Sequence, residues 1–281
     1  MPFDGATVLR KHGFMPANHQ SPMFFPVDLA NLTVDGATLP GWKAVRRTDT
    51  GDILHVHSDS YKLVPNEEIY GAFNEAIEKA SAIDTSGMLV HDDMSHGGAR
   101  AFREYVFPAV TAKVGTDDAL ALRMVVFNSY DGTTAFRACA GHYRFVCANT
   151  AVIGKHLADF RRRHTAGFEI GDVAKIMAQA AETFIEESRR YEAWAERQIS
   201  MGEAIDVIRA MPSMSDQLFG HLLQRIPTDD DLNLWGLYNT LTAWATHVDG
   251  DKLNARAVRD QRERRVAKVI DCPAWKQLEA A

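Results

Sequence analysis

An α+β fold is predicted for this 281-residue chain, with strands in its first half and helices in its second. Three observations predict it. Short strand-like runs follow one another before residue 150, separated by Asp-Gly and Pro-Gly turns and with few helices to serve as crossovers. A long apolar hairpin closes that half, and beyond it apolar residues recur at the 3.6-residue period of helices. We expect an antiparallel β-meander with a long hairpin and a crossing helix, followed by a helical C-terminal half.

The sequence pattern divides the chain into three regions. Residues 1–30 contain prolines and no sustained period, which predicts an N-terminal arm. Residues 31–165 contain the strand-like runs and form the predicted α+β core domain. Residues 166–281 form the predicted helical C-terminal region. A chain of this length can bury a sizeable core.

The composition is typical of a globular protein, with 46% hydrophobic and 24% charged residues. No apolar run approaches the ~18 residues of a membrane span, and the first residues lack the apolar core of a signal peptide. We therefore expect a cytoplasmic protein with no membrane partner. None of the three cysteines lies in a CxxC motif, so neither a zinc knuckle nor a redox pair is expected.

The first half begins with a meander of short strands. The strand-like runs are residues 26–31, 42–48 and 53–56. Asn66 then offers an N-cap, and Glu67 and Glu68 suit the positive end of a helix dipole, which predicts a helix from Asn66 to Ala82. A later strand, residues 100–114, is expected to bend or break at Pro108.

The hairpin comes next. Residues 120–129 are apolar and rich in strand formers, and Asp131-Gly132 suits a type I′ turn. Residues 133–147 form the returning arm. Asn149 and Thr150 offer caps for a helix that would contain the basic run ending at His164.

The returning arm is basic. Strand alternation places His142 and Arg144 on one face, and Arg137 on the other. A bulge at Gly141 would bring all three into one row. The alternative is that each arginine pairs with a neighbouring acid or faces solvent.

The second half reads as a series of helices. The apolar stripe predicts one long helix from Ile170 to Met211, ended by Pro212. Ser215 and Pro227 begin two further helices. Residues 254–270 predict a basic helix wet on most sides, and Cys272-Pro273 is expected to end the ordered pattern. Between Lys252 and Lys268 there are seven Lys or Arg residues against two acids.

No enzyme motif stands out. The chain has no GxxxxGK[ST] loop, no GxGxxG loop and no GxSxG elbow, so we expect no nucleotide hydrolysis, no catalytic residue and no cofactor. Metal-dependent catalysis stays open as an alternative, because several histidines and aspartates cluster in sequence. These are His55, His57, His91, Asp92, Asp93 and His96. A metal site is not the favoured reading.

Three segments of this chain resemble a known family. They are YKLVPNEEIY (61–70), VVFNSYDGTTAFRACAGHYRFVCANT (125–150) and LWGLYNTLTAWATH (234–247). In order and spacing they resemble the domain-of-unknown-function 932 family, often called phage/plasmid-like proteins. Such proteins are encoded by phages, plasmids and bacterial mobile elements.

The resemblance implies a role in DNA metabolism. The family's order of elements is similar to that of the single-strand annealing recombinases, which include the Rad-fifty-two annealase, Redβ and Erf. Those proteins assemble into rings or filaments and hold single-stranded DNA in a basic groove. We therefore expect a homo-oligomer in a bacterial host cell that binds single-stranded DNA and promotes annealing and recombination.

The candidate nucleic-acid-binding residues are the basic side chains of the returning arm and of the segment after it. They are Arg137, Arg144, Lys155, Arg161, Arg162 and Arg163. They would hold phosphates and leave the bases free to pair. A second hypothesis is an oligomeric protein-binding factor of a mobile element, for host takeover or anti-defence. Hairpin arginines that are paired internally would favour this second hypothesis.

Overall fold

A computed structural model of the chain describes residues 4–79, 83–115, 118–133, 136–146, 149–152, 160–162, 170–228, 231–247 and 255–281. The predicted α+β class is confirmed, with antiparallel sheets first and a helical C-terminal half. The strands are β1 (Met15–Pro16), β2 (Val27–Val34), β3 (Ala37–Arg47), β4 (Ile53–Ser58), β5 (Leu89–Ser95), β6 (Arg100–Val114), β7 (Asp118–Ser129), β8 (Phe136–Arg144), β9 (Asn149–Val152) and β10 (Phe160–Arg162). The α-helices are α1 (Gly5–Lys11), α2 (Asn66–Lys79), α3 (Ile170–Glu196), α4 (Met201–Arg209), α5 (Asp216–Leu223), α6 (Leu234–Thr246), α7 (Ala255–Val269) and α8 (Pro273–Ala280).

The main sheet is antiparallel and has the strand order β1-β5-β6-β7-β8-β10, with β9 also paired to β8. Strand alternation gives it two faces. One face is apolar and packs against α2 and α3, where Phe73 of α2 lies 5.3 Å from Tyr105 between ring centroids. The other face contains Arg123 and Arg137, and α7 covers it. The sheet is therefore the middle layer of the core.

Helix α7 reaches the sheet through charged side chains. Arg123 of β7 donates from Nε to Glu104 of β6 over 2.5 Å and from Nη2 to Glu263 of α7 over 3.1 Å. Arg256 and Arg259 of α7 also donate to Glu104. Burial raises the pKa of Glu104, but Arg123, Arg259 and Arg256 outweigh it and hold that pKa well below its usual range. The expectation of a helix wet on most sides is therefore wrong, because buried residues occur along the whole of α7: Arg256, Asp260, Glu263, Val266 and Val269.

The helical half has an aromatic core. Tyr191 and Trp194 of α3, Tyr238 of α6 and Trp275 of α8 are buried together. Glu279 of α8 accepts a hydrogen bond from Trp194 Nε1 over 3.0 Å. The chain thus stays ordered beyond Cys272, which is the N-cap of α8, with Pro273 at its first position.

A separate three-stranded sheet has the order β2-β3-β4. One face packs Val45 against Phe25 and Tyr130. The opposite face contains Trp42, Ile53 and Val56, with exposed fractions of 48%, 54% and 37%. This small sheet therefore presents an apolar surface.

The first 30 residues are more ordered than an arm. Asp4 caps α1 through hydrogen bonds from the amides of Ala6 and Thr7. Leu9 and Met23 are fully buried against the main sheet. The apolar residues of this segment do not recur at a regular spacing, so the sequence pattern did not reveal that they are buried.

The predicted helix from Ile170 to Met211 is two helices. Helix α3 ends at Glu196, and α4 begins after Ser200. Ser200 Oγ accepts from the Glu203 amide while the Glu203 carboxylate accepts from the Ser200 amide, which is a capping box. The Ser-x-x-Glu spacing was the signal of this break.

The segments after the hairpin are strands where the sequence predicted a helix. Residues 149–152 form β9 and residues 160–162 form β10, and both pair antiparallel with β8. Strand β6 is not broken at Pro108, since it runs from Arg100 to Val114, but its register with β7 shifts between Phe107 and Thr111, around that proline. No helix in the described parts of the chain is long and apolar enough to span a membrane.

Candidate nucleic-acid interface

The hairpin arms pair in one continuous register. It runs from the Leu120–Arg144 pair to the Phe127–Arg137 pair, with Gly141 opposite Arg123 and no shift between them. No bulge therefore exists at Gly141, and Arg137 and Arg144 point to opposite faces of the sheet. The turn is also longer than predicted. Gly132 has a positive φ and Asp131 does not, so the type I′ turn is not formed.

Arg137 lies on the α7 side of the sheet, where it is 6% exposed. Its Nη2 donates to Asp260 of α7 over 3.1 Å, and its Cζ lies 4.1 Å from the centroid of the Phe127 ring. Its Nε has no hydrogen-bond partner among the described residues. Arg137 is thus a buried contact between sheet and helix.

Arg144 lies at the end of β8 and is paired with Asp118 at the start of β7. Its Nε donates over 2.8 Å and its Nη2 over 2.5 Å. The same carboxylate accepts from Trp235 Nε1 over 2.7 Å. Asp118 therefore ties the hairpin to α6.

The other four candidate residues cannot be placed at the level of side chains. Lys155 and Arg163 lie outside the described residues. Arg161 and Arg162 belong to β10, where Arg161 is the register partner of Arg137 and Arg162 that of Phe136.

An open groove runs along α6 and has two lobes. The α5 lobe, about 380 Å³, lies between α5 and α6. The β8 lobe, about 600 Å³, lies between the end of β8 and the first turns of α6. Arg225, Ala243 and His247 line both lobes and join them. The α5 lobe is further lined by His221, Trp244 and Arg262, and the β8 lobe by Arg144, Pro227, Trp235, Gly236 and Thr240.

Two arginines of the groove have only neutral acceptors. Arg225 Nη1 lies 2.9 Å from His221 Nδ1 and also bonds to the His221 carbonyl oxygen. Arg262 Nη1 donates to the carbonyl oxygen of Trp244 over 2.9 Å. Neither guanidinium has a carboxylate partner in the described ranges, in contrast to Arg137 and Arg144. Within the described residues, therefore, no carboxylate neutralises the positive charge of Arg225 or Arg262.

Trp244 packs beneath Arg262 and Arg265. The Cζ atoms of Arg262 and Arg265 lie 4.9 and 5.1 Å from the centroids of its rings. Burial and the neighbouring charge of Arg262 lower the pKa of Arg265. Arg225 and Arg262 line the α5 lobe, and Arg265 lies beside it on Trp244, in a protein whose formal net charge is −6.

The family model described as "Domain of unknown function (DUF932)" matches residues 53–270. That match covers most of the chain and includes both lobes. The chain belongs to the DUF932 family. No curated protein and no solved structure matches it.

Some of the candidate metal ligands of the DUF932 protein are engaged in ordinary contacts. The His57 ring nitrogen Nε2 lies 2.6 Å from the Tyr130 carbonyl oxygen, and Asp92 pairs with Arg103 and His19. Among the described residues, no group of three or more His, Cys, Asp or Glu side chains could hold a metal ion. The metal alternative therefore has no set of ligands in those parts of the chain.

Sequence reasoning missed the groove of the DUF932 protein because its arginines are far apart in sequence. Arg225 follows α5, whereas Arg262 lies in the basic run of α7. The available signal was the block 234–247, which forms the floor between the two lobes.

Proposed function

We propose that this DUF932 protein binds single-stranded DNA in the α6 groove and promotes strand annealing and recombination without nucleotide hydrolysis. It would act in the cytoplasm of a bacterial host as a phage or plasmid DNA-metabolism protein. The observation that carries the proposal is the pair Arg225 and Arg262, whose guanidinium groups have no carboxylate partner in the described chain. Guanidinium groups without an internal counterion are suited to phosphate.

The shape of the groove also supports a single strand. Its two lobes join at Arg225 and His247 into one open channel. Channels that bind single strands combine positive charge with aromatic side chains, and this groove has Trp235 and Trp244 in its walls. We therefore propose the α6 groove as the DNA-binding site, and not the basic hairpin, where Arg137 is buried.

Fluorescence anisotropy with a labelled oligothymidine tests the proposal. We expect binding at low salt that weakens as salt rises, with ~0.7 units of log slope for each phosphate neutralised. Arg225→Gln should weaken binding about tenfold, since a hydrogen bond to a charged group contributes ~1.5–3 kcal/mol. Arg46→Gln is the matched control, because Arg46 lies on the small sheet and pairs with Asp28.

No binding of the wild-type protein at low salt would reject the proposal, as would equal losses in Arg225→Gln and Arg46→Gln. Annealing is tested separately. Complementary strands should anneal faster with the protein and without added nucleotide. Negative-stain images with and without oligothymidine should show rings or filaments if the protein acts as an oligomer.

A second candidate function is that of an oligomeric protein-binding factor. Two observations favour it: Arg137 and Arg144 are paired with acids, and Trp42, Ile53 and Val56 expose an apolar face on the small sheet. Apolar patches on a surface often mark protein contacts. Val56→Lys should then abolish oligomers seen by light scattering and leave DNA binding unchanged.

A further inference from the structure

The two lobes of the α6 groove differ in their electrostatics. In the α5 lobe, Arg225 and Arg262 face no carboxylate among the described lining residues. In the β8 lobe, the charge of Arg144 is neutralised by Asp118, and Asp231 adds an exposed carboxylate. Arg225 lines both lobes, but only the β8 lobe has a carboxylate, that of Asp231, among its described lining residues, so an anion is better accommodated in the α5 lobe.

Three polar side chains around the β8 lobe, those of Asn233, Trp235 and Thr240, are already hydrogen-bonded. The Asn233 side chain accepts from the Gly236 amide over 2.8 Å, and Thr240 Oγ1 donates to the Gly236 carbonyl oxygen over 3.1 Å. Trp235 Nε1 donates to Asp118. The wall also includes apolar groups of Pro227, Trp235 and Gly236, and an apolar wall suits a flat, uncharged group.

We propose that the groove holds a nucleotide in one orientation, with a phosphate in the α5 lobe and its base in the β8 lobe. The inference rests on the proposed function and deepens it. The β8 lobe, about 600 Å³, is within the usual size of small-molecule sites, so it can accept a base with its sugar. The protein would then anchor a base at each groove, while bases outside the groove stay free to pair.

Removal of the bases tests this assignment. The probes are a labelled oligothymidine and a strand of equal length made only of abasic sites, which has the same phosphates. We expect the wild-type protein to bind the oligothymidine at least fivefold more tightly, because stacking of a base on an aromatic side chain is worth ~1–3 kcal/mol. Arg262→Gln should lower the affinity of the protein for both strands by the same factor.

Gly236 allows the β8 lobe to be filled without a change of charge. A Cβ built there meets Asn233 Oδ1 and Pro227 Cγ at 3.4 Å, which is ordinary contact. Gly236→Leu also replaces glycine with a better helix former inside α6. We expect Gly236→Leu to bind oligothymidine only as tightly as it binds the abasic strand. Its affinity for the abasic strand should equal that of the wild-type protein. Gly71→Leu is the matched control, since nothing lies within 4 Å of a Cβ at Gly71 on α2.

The outcomes separate the two proposals. Equal wild-type affinity for the two strands would overturn the placement of the base and leave the proposed function standing. Absence of binding to either strand would reject both. If Gly236→Leu does not fold, as judged by circular dichroism, Gly236→Ala replaces it and should still narrow the difference between the strands. If a folded variant at Gly236 still prefers oligothymidine to the abasic strand as strongly as wild type does, the assignment of the base to the β8 lobe is overturned.

Discussion

The carboxylate of Asp118 neutralises Arg144 at the wall of the groove, with the Arg144 Nε donating to it over 2.8 Å. The same carboxylate accepts from Trp235, so one acid joins the two arms of the hairpin to α6. Arg144 was a predicted phosphate ligand. Its geometry instead indicates a structural contact that shapes the β8 lobe.

Arg144→Gln should therefore reduce stability more than DNA binding. Loss of the guanidinium leaves Asp118 partly unpaired, and an unsatisfied buried polar group costs ~1–3 kcal/mol. We expect a fall of about 2 kcal/mol in the free energy of unfolding in urea, and a smaller loss of oligothymidine affinity than in Arg225→Gln. Arg225→Gln should show the reverse pattern. A loss of affinity in Arg144→Gln as large as in Arg225→Gln would contradict this assignment.

Glu263 should be essential for the docking of α7. Its side chain is 1% exposed and pairs with Arg123 and Arg259. Removal of one partner from a buried ion pair costs ~3–5 kcal/mol, so Glu263→Gln should lower the free energy of unfolding by about 3 kcal/mol. Glu186→Gln, on the exposed face of α3, is the control and should change it by less than ~0.5 kcal/mol. If Glu263→Gln and Glu186→Gln change the free energy of unfolding equally, the buried charge of Glu263 is not needed for the docking of α7.

His142 should make the fold sensitive to mild acid. It is fully buried, and neither ring nitrogen has a hydrogen-bond partner in the described residues. Burial, with help from the charges of Arg123 and Arg144, lowers the pKa of His142 to about 3. The unfolded chain, with an ordinary histidine pKa of ~6.5, binds the proton more readily between these two values. Stability due to neutral His142 is therefore present above pH ~6.5 and is lost as the pH falls toward 3.

His142→Phe should remove this loss. Its ring would keep the edge-on contact with Tyr191, whose ring centroid lies 5.1 Å from that of His142. We expect the melting temperature of the variant to fall less than that of wild type between pH 7 and pH 5, with a difference of up to ~2 kcal/mol in stability. Parallel melting curves for the two proteins would contradict the role of His142.

Ser200 should contribute to stability through the capping box of α4. Ser200→Ala removes the hydroxyl that accepts from the Glu203 amide, and loss of such a cap costs ~1 kcal/mol. A lower melting temperature is expected in differential scanning calorimetry. Ser200→Thr keeps the hydroxyl and should stay close to wild type. If both variants melt alike, the cap is not what stabilises this helix start.

Much of the fold follows from local sequence. Ser215 caps α5 as predicted, and the hairpin of residues 118–144 is present where its apolar arms indicate it. Helix α2 begins at Asn66 as predicted, but the Asn66 side chain bonds to Met23 and Asn128 and does not cap the helix. Such features depend on neighbouring residues, so the sequence pattern is enough to find them. The break at Ser200 was also visible locally, but the continuing apolar stripe concealed it.

The partners of the arginines could not be predicted in the same way. Arg137 pairs with Asp260, and Arg123 with Glu263, through contacts between distant parts of the chain. A basic strand looks the same in sequence whether its charges meet a ligand or a helix. For the same reason Arg225 and Arg262, which have no acidic partner among the described residues, could not be distinguished from the others before the chain was folded.

The ends of the chain extend the folding unit beyond the segment that the family shares. The family match stops at residue 270. Beyond it, Trp275 is fully buried, and Glu279 accepts a hydrogen bond from Trp194. Leu9 and Met23 fill the core from before residue 53, where the match begins. A chain trimmed to the family limits would expose a tryptophan-lined cavity and an uncovered sheet, and would aggregate. The buried core thus includes residues on both sides of the matched segment.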